Sequence, residues 1–254
     1  MNNTSDFIFK IDNKIIPTET INQWELKRLT HEIKFLNRHN FNINIAPKNT
    51  LSEQRLLLAK SKMQHDPTFY RNLFKVQTVL GNFGSLISAK FSKGQRKFSI
   101  TDIYVINHNI SAENIYQSIK NIMLQNTPEH LLQNLSTNPD HFILQSPKNN
   151  VQEVLEITGG SPLPTNFYAI YGDETGLKSN FDNNFTYQLA ASARLKNGKI
   201  IGGIRHQIVD TKNGIHFRAL VEFPSLVPNS FIRNHELHLA CEFRQWIKFA
   251  IQSQ

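Results

Sequence analysis

The sequence predicts an α+β fold: a mainly antiparallel sheet of about six to eight strands, helices packed on one face, and a closing C-terminal helix. Three observations carry this. Helix-like and strand-like segments are grouped along the chain rather than strictly alternating. An Asn197-Gly198 pair separates two long strand-like runs, 187–196 and 199–210. The stretch from about Asn229 or Ser230 to Ile251 repeats apolar residues at helical spacing, through Leu239, Ala240, Phe243, Trp246, Ile247 and Ala250. With 254 residues and 18 phenylalanines the chain can bury a sizeable core. One domain over 1–254 is expected, with a helical N-terminal region (1–65) and an α+β body (66–254).

The elements follow from local signals. Trp24, Leu26, Leu29, Ile33 and Leu36 recur at steps of two to four and line one helix face. Thr50 with Glu53 three residues later is a capping box for a second helix. Asp66-Pro67 opens a third, carrying Phe69, Leu73, Val76 and Leu80, which Gly81 and Gly84 are expected to stop. Ile87, Ala89 and Phe91 alternate with polar residues, and Ser92 to Gln95 reads as a turn into Phe98, Ile100, Ile103 and Val105. A β-hairpin is expected there. Ser111 and Thr127-Pro128 start two further helices.

Segments 141–145, 151–158 and 167–171 read as strands, broken by Gly159-Gly160-Ser161-Pro162, a rigid turn bordering a pocket. At Asn197-Gly198 a two-residue type I′ turn sets the register: Leu195 faces Ile200, Ala193 faces Gly202, Ala191 faces Ile204, and Leu189 faces His206. A third strand, 215–223, follows Lys212-Asn213-Gly214.

The net charge of +8 favours an anionic partner. The single cysteine, Cys241, rules out an internal disulfide and suits a reducing compartment. The first residues, MNNTSDFIFKIDNK, lack the basic and apolar regions of a signal peptide, and no run has the length of a membrane span. A cytoplasmic location without membrane contact is expected.

No motif fixes an activity. His206 falls on the apolar face of the hairpin with Leu195, Ala191, Ile204 and Ile208, as a hydrogen-bonded core residue or as a group lining a pocket. Glu236 falls in the apolar stripe of the closing helix, where a carboxylate needs hydrogen bonds, a cation or a proton. The first helical turn offers an alternative way to satisfy it. These two are the acid–base candidates. The opposite sheet face carries Arg194, Arg205, Arg218 and Glu222, which either bind a carboxylate or phosphate or form a solvated, salt-bridged surface. The two sets lie on opposite faces, so one pocket holds both only if the sheet curls or the third strand shifts register.

His235, His238 and Glu242 invite a metal reading, but HELH is not HExxH and His235 is read at a different azimuth from His238. No metal and no cofactor are therefore expected. Asp173-Glu174 and Asp210-Thr211-Lys212 read as turn and loop chemistry. Cys241 is placed on the helix flank, away from the stripe. The expected ligand is an anionic small molecule, with an acid–base enzyme as one outcome. The alternative is a nucleic-acid-binding or processing accessory protein using Lys90, Lys93, Arg96 and Lys97 at the tip of the first hairpin.

Overall fold

The computed structural model describes residues 7–253 apart from 47, 107 and 109. Nine strands and seven α-helices alternate irregularly, in this order: β1 (Phe7–Ile11), β2 (Lys14–Ile16), α1 (Thr18–Asn37), α2 (Leu51–Lys62), α3 (Pro67–Leu73), α4 (Lys75–Phe91), β3 (Arg96–Ile106), α5 (Ala112–Leu124), α6 (Pro128–Thr137), β4 (His141–Lys148), β5 (Val151–Glu156), β6 (Thr165–Tyr171), β7 (Tyr187–Arg194), β8 (Ile200–Thr211), β9 (Gly214–Pro224) and α7 (Asn229–Gln252). A 3-10 turn, Thr158–Gly160, follows β5. The strands form one antiparallel sheet, ordered β2-β1-β3-β9-β8-β7-β6-β5-β4. This is the expected α+β class, with one strand more than the upper expectation.

The extra strands come from the N-terminus. Asp12 and Asn13 both take positive φ, the requirement of a type I′ turn, and pair β1 with β2 in the register Ile11 to Lys14. The first sixty residues are therefore not wholly helical, because β1 also joins β3 in the main sheet. Residues 1–6 lie outside the described residues.

The helix caps read from sequence are present. Thr50 and Glu53 form the reciprocal capping box. Asp66, Ser111 and Thr127 each accept an amide hydrogen bond at a helix start.

Two readings are corrected. Gly81 and Gly84 do not stop a helix: α3 ends at Leu73 and α4 runs on through both glycines to Phe91. The alternation of Ile87, Ala89 and Phe91 is accordingly part of α4, and the expected first hairpin is a helix-to-strand turn in which Lys93 and Gly94 take positive φ. At Asn197-Gly198 only Gly198 has positive φ. The Gly198 amide donates to Leu195 O and the Leu195 amide to Lys199 O. This is a turn closed by a glycine bulge rather than a type I′ turn. The bulge lies between Ala193 and Arg194, so Ile200 pairs with Arg194 instead of Leu195. The pairs Ala193–Gly202, Ala191–Ile204 and Leu189–His206 stand as read.

One sheet face packs against α5 and α7 through a core that includes Phe9, Ile103, Ala191, Ile208, Phe217, Phe243 and Trp246. Cys241 belongs to this core and is fully buried rather than lying on a flank. At the β4–β5 end a second core forms with α1 to α3, from Leu29, Leu36, Leu58, Tyr70, Phe74 and Leu155. A bulge between His141 and Ile143 lets Phe142 and Ile143 both enter that second core while His141 stays opposite Glu156. The other face of the central strands is covered by the segment between β6 and β7, whose Lys178 and Ser179 amides donate to Glu222.

Candidate functional site

A cavity of about 400 Å³ lies between the sheet, α4 and α7. That volume suits a small molecule. Its walls are mainly apolar, with Val154, Phe167, Ile204, Val221, Leu239 and Trp246 among them. Its polar groups concentrate in His206, His235, His238, Glu156 and Glu242.

Three elements bring the polar groups together. On α7, His235, His238 and Glu242 lie at i, i+3 and i+7, within an arc of about 60° at about 100° per residue. The azimuth read for His235 is corrected here: the His235 and His238 rings stack with centroids 5.2 Å apart. His141 opens β4 and Glu156 ends β5, directly opposite each other across the ladder. The 3-10 turn then crosses under α7. Gly159 has φ 59°, and a Cβ there would meet the His235 backbone nitrogen at 3.0 Å, so this approach requires glycine.

All five side chains are buried. His141 Nε2 lies 3.5 Å from Glu156 Oε2 and 3.4 Å from Glu242 Oε1. His238 Nε2 lies 3.8 Å from Glu156 Oε2 and 3.7 Å from Glu242 Oε2. These gaps are longer than good hydrogen bonds, and His141 Nε2 has no hydrogen-bond partner. They do match the edge between two ligands of one ion, about 3.4 Å for 2.1 Å bonds in tetrahedral geometry. The candidate ligand atoms of His141, His238 and Glu242 lie within 4.8 Å of one another, as do those of Glu156, His235 and His238.

The outer ring nitrogens point to supporting groups. His141 Nδ1 contacts Thr137 Oγ1 at 3.1 Å and Asn134 O at 3.2 Å, and His235 Nδ1 contacts Ser99 Oγ at 2.8 Å. His238 Nδ1 faces Asp140 Oδ2 at 3.8 Å. Asp140 is held by Arg28 at 2.7 Å, and Arg28 also bonds Glu32 at 2.6 Å. Lys62 Nζ donates to the carbonyls of Pro139 and His141. Metal-binding histidines are commonly oriented by such outer partners.

The protonation states fit together. Burial, then the neighbouring His238, pushes His141 well below the usual histidine range. Burial, then His238 and His141, does the same to His235. Burial, with Arg28 adding, holds His238 down to about 3. Neutral imidazole is the ligating form. Burial raises Glu156 to about 7, and burial followed by the Glu156 charge raises Glu242 well above the carboxylate range. A dication among them would reverse that cost, because it favours both ionised carboxylates.

The sequence candidates are distributed as follows. His206 lines the cavity. Its Nδ1 accepts from the Leu220 amide at 3.2 Å, and burial, then His235, lowers it to about 3. It is therefore neutral, with its Nε2–H free to donate. Glu236 does not line the cavity. It is buried beside the Ile100 amide, and burial, then Asp12, raises it to about 7. The structure thus does not join His206 and Glu236 in one pocket.

The arginines occupy the opposite face and each holds a carboxylate of the same chain. Arg194 pairs with Asp173 at 2.7 Å, Arg205 with Glu174 at 2.6 Å, and Arg218 with Asp102 at 2.8 Å. Glu222 accepts from the Lys178 and Ser179 amides and from Ser179 Oγ, with Arg96 at 3.7 Å. Lys97 Nζ donates to Val227 O, while Lys90 and Lys93 project into solvent.

Sequence reasoning missed His141 and Glu156, which are 79 or more residues from the α7 ligands and carry no motif. The i, i+3, i+7 spacing on α7 was the available signal. No family description, no curated protein and no solved structure matches this chain.

Proposed function

We propose that this protein is a metal-dependent enzyme. It would hold a first-row divalent transition metal through His141, His235, His238, Glu156 and Glu242, and act on a small, largely apolar molecule in the adjoining cavity. The observation that carries this reading is two buried sets of three candidate ligands, His141–His238–Glu242 and Glu156–His235–His238, each with its donor atoms within 4.8 Å of one another and both sharing His238. A mixed nitrogen and oxygen donor set suits Zn, Fe, Mn, Co or Ni rather than Ca or Mg. A metal held by these residues would supply Lewis-acid activation to a water or substrate oxygen reaching it from the cavity. His206 would donate its Nε2–H to the bound molecule at the cavity wall.

The anion reading at Arg194, Arg205, Arg218 and Glu222 has weaker support, because each arginine is already neutralised within the chain. The nucleic-acid reading keeps only Lys90 and Lys93 as projecting cations, since Arg96 and Lys97 are engaged with Glu222 and Val227.

The test is elemental analysis of the purified protein, followed by calorimetric titration of chelator-treated protein with Mn, Fe, Co, Ni and Zn. About one equivalent of one metal is expected. His238→Ala should lose it while circular dichroism keeps the mixed helix and sheet signature. Wild-type protein that takes up none of these metals at micromolar concentration would refute the proposal.

A further inference from the structure

Helix α4 forms one wall of the cavity with Gly81, Gly84, Ser85 and Ser88. Its outer face is apolar and bare: Val76 is 69% exposed, Val79 64%, Phe83 59% and Phe91 61%, with Leu80 and Ile87 between them. At about 100° per residue these six side chains fall within an arc of about 120°. A stripe of this kind on a helix ordinarily faces a core, and its exposure marks a docking surface.

The patch continues past the helix end. The Leu226 amide donates to Ser92 Oγ, which places exposed Leu226 beside the C-terminus of α4. Leu80 and Leu226 are both exposed and both line the cavity, so the apolar surface runs into its mouth.

Charge selects the occupant. The segment 75–97 contains no aspartate or glutamate, and Lys75, Lys90 and Lys93 project from it into solvent. Two copies pairing α4 antiparallel would set Lys75 of one against Lys90 and Lys93 of the other, with like charges at both ends. An anionic lipid surface satisfies both features: basic residues meet headgroups, and the apolar stripe enters the acyl boundary. No helix among the described residues is long and apolar enough to cross a membrane, so the contact is peripheral.

We propose that α4 docks the protein on an anionic membrane surface, and that an acyl-chain lipid passes between Leu80 and Leu226 into the cavity as the substrate. The docking stands on α4 alone, whereas the substrate assignment rests on the metal-enzyme reading above. Gly84 lies at the boundary between the exposed stripe and the cavity, and a Cβ added there meets no atom within 4 Å. Bulk at Gly84 should therefore close the mouth without disturbing the fold.

The experiment is co-sedimentation with vesicles of phosphatidylcholine alone or mixed with phosphatidylglycerol, followed by native mass spectrometry of the recovered protein. Wild type should pellet with the mixed vesicles, release with added salt, and, when oleate is included in the vesicles, carry one oleate per chain. Phe83→Asp with Phe91→Asp, or Lys90→Glu with Lys93→Glu, should weaken sedimentation at least tenfold with unchanged melting and metal content. Gly84→Trp should sediment normally and carry no lipid. His238→Ala should sediment normally while losing metal, so a failed metal site leaves the docking result readable. Wild type that stays in the supernatant, or that elutes as a dimer dissolved by Phe83→Asp, overturns the docking. Lipid retained by Gly84→Trp overturns the route.

Discussion

A single buried imidazole shows what the environment does to a residue. His141 has its outer nitrogen near two oxygens and its inner nitrogen facing two carboxylates at 3.4 and 3.5 Å. A polar atom buried without a hydrogen bond costs on the order of 1–3 kcal/mol, so a site with several of them calls for a resident that pairs with all. His206, by contrast, has its Nδ1 satisfied by a main-chain amide. Sequence placed His206 correctly on the apolar face, because strand alternation and the turn glycine decide it. His141 was invisible to the same reasoning. Its orientation depends on a bulge in β4 and on a helix nearly a hundred residues away.

Gly159 is the residue whose replacement is most informative. Its positive φ and its contact with the His235 backbone leave no room for a methyl group. Gly159→Ala is expected to cost at least 1–2 kcal/mol, roughly the left-handed penalty alone, and to push the 3-10 turn off α7. Urea denaturation measures the first effect, and loss of metal affinity reports the second. An alanine variant with unchanged midpoint and unchanged affinity would show that the close approach is dispensable.

At the scale of elements, the sequence was read well wherever the signal was local. The caps of α2, α3, α5 and α6, the long α7 and the β7–β8–β9 run were all legible. Failures came where context overrides propensity. Gly81 sits inside α4 because the chain leading into β6 packs closely on it, where a Cβ would meet Pro164 O; Gly84 meets nothing, and nothing in the structure requires glycine there. The turn at Asp12-Asn13 was missed because β2 is only three residues long and mostly exposed.

One element junction carries a pH prediction. Asp102 on β3 accepts from His216 at 2.7 Å and Arg218 at 2.8 Å, both on β9. Burial works to raise the Asp102 carboxyl, but these partners outweigh it and hold the group below its ordinary value of 3.8. The folded protein therefore binds this proton more weakly than the unfolded chain. Its stabilising effect is complete above the unfolded value and is lost as pH falls through the folded one. Asp102→Asn should lower stability at pH 7 by about 1–3 kcal/mol and flatten the acid limb of a pH–stability curve below pH 4. An unchanged acid limb in the variant would remove this pair from the account.

At the scale of the molecule, one sheet ties the N-terminal strands, the cavity and the α7 wall into a continuous frame. Sequence gave the class of that frame, because grouping and periodicity are collective signals that survive individual errors. The site was legible only in its α7 half. Metal at the proposed centre would join β4 and β5 to α7, and so stabilise the frame as a whole. Adding the bound metal in hundredfold excess over its dissociation constant is expected to raise stability by about 2.7 kcal/mol. Differential scanning calorimetry of chelated and reloaded protein measures this, and coincident melting curves would contradict it.

The proposed ligands also impose a timetable. His141 and Glu156 emerge from the ribosome long before His235, His238 and Glu242, which lie 79 to 101 positions further along. A nascent chain exposing only the first pair offers an ion too few donors to be retained. Loading would wait until α7 has been made and has closed over β5, so the ion would enter a polypeptide that is already shaped around its berth.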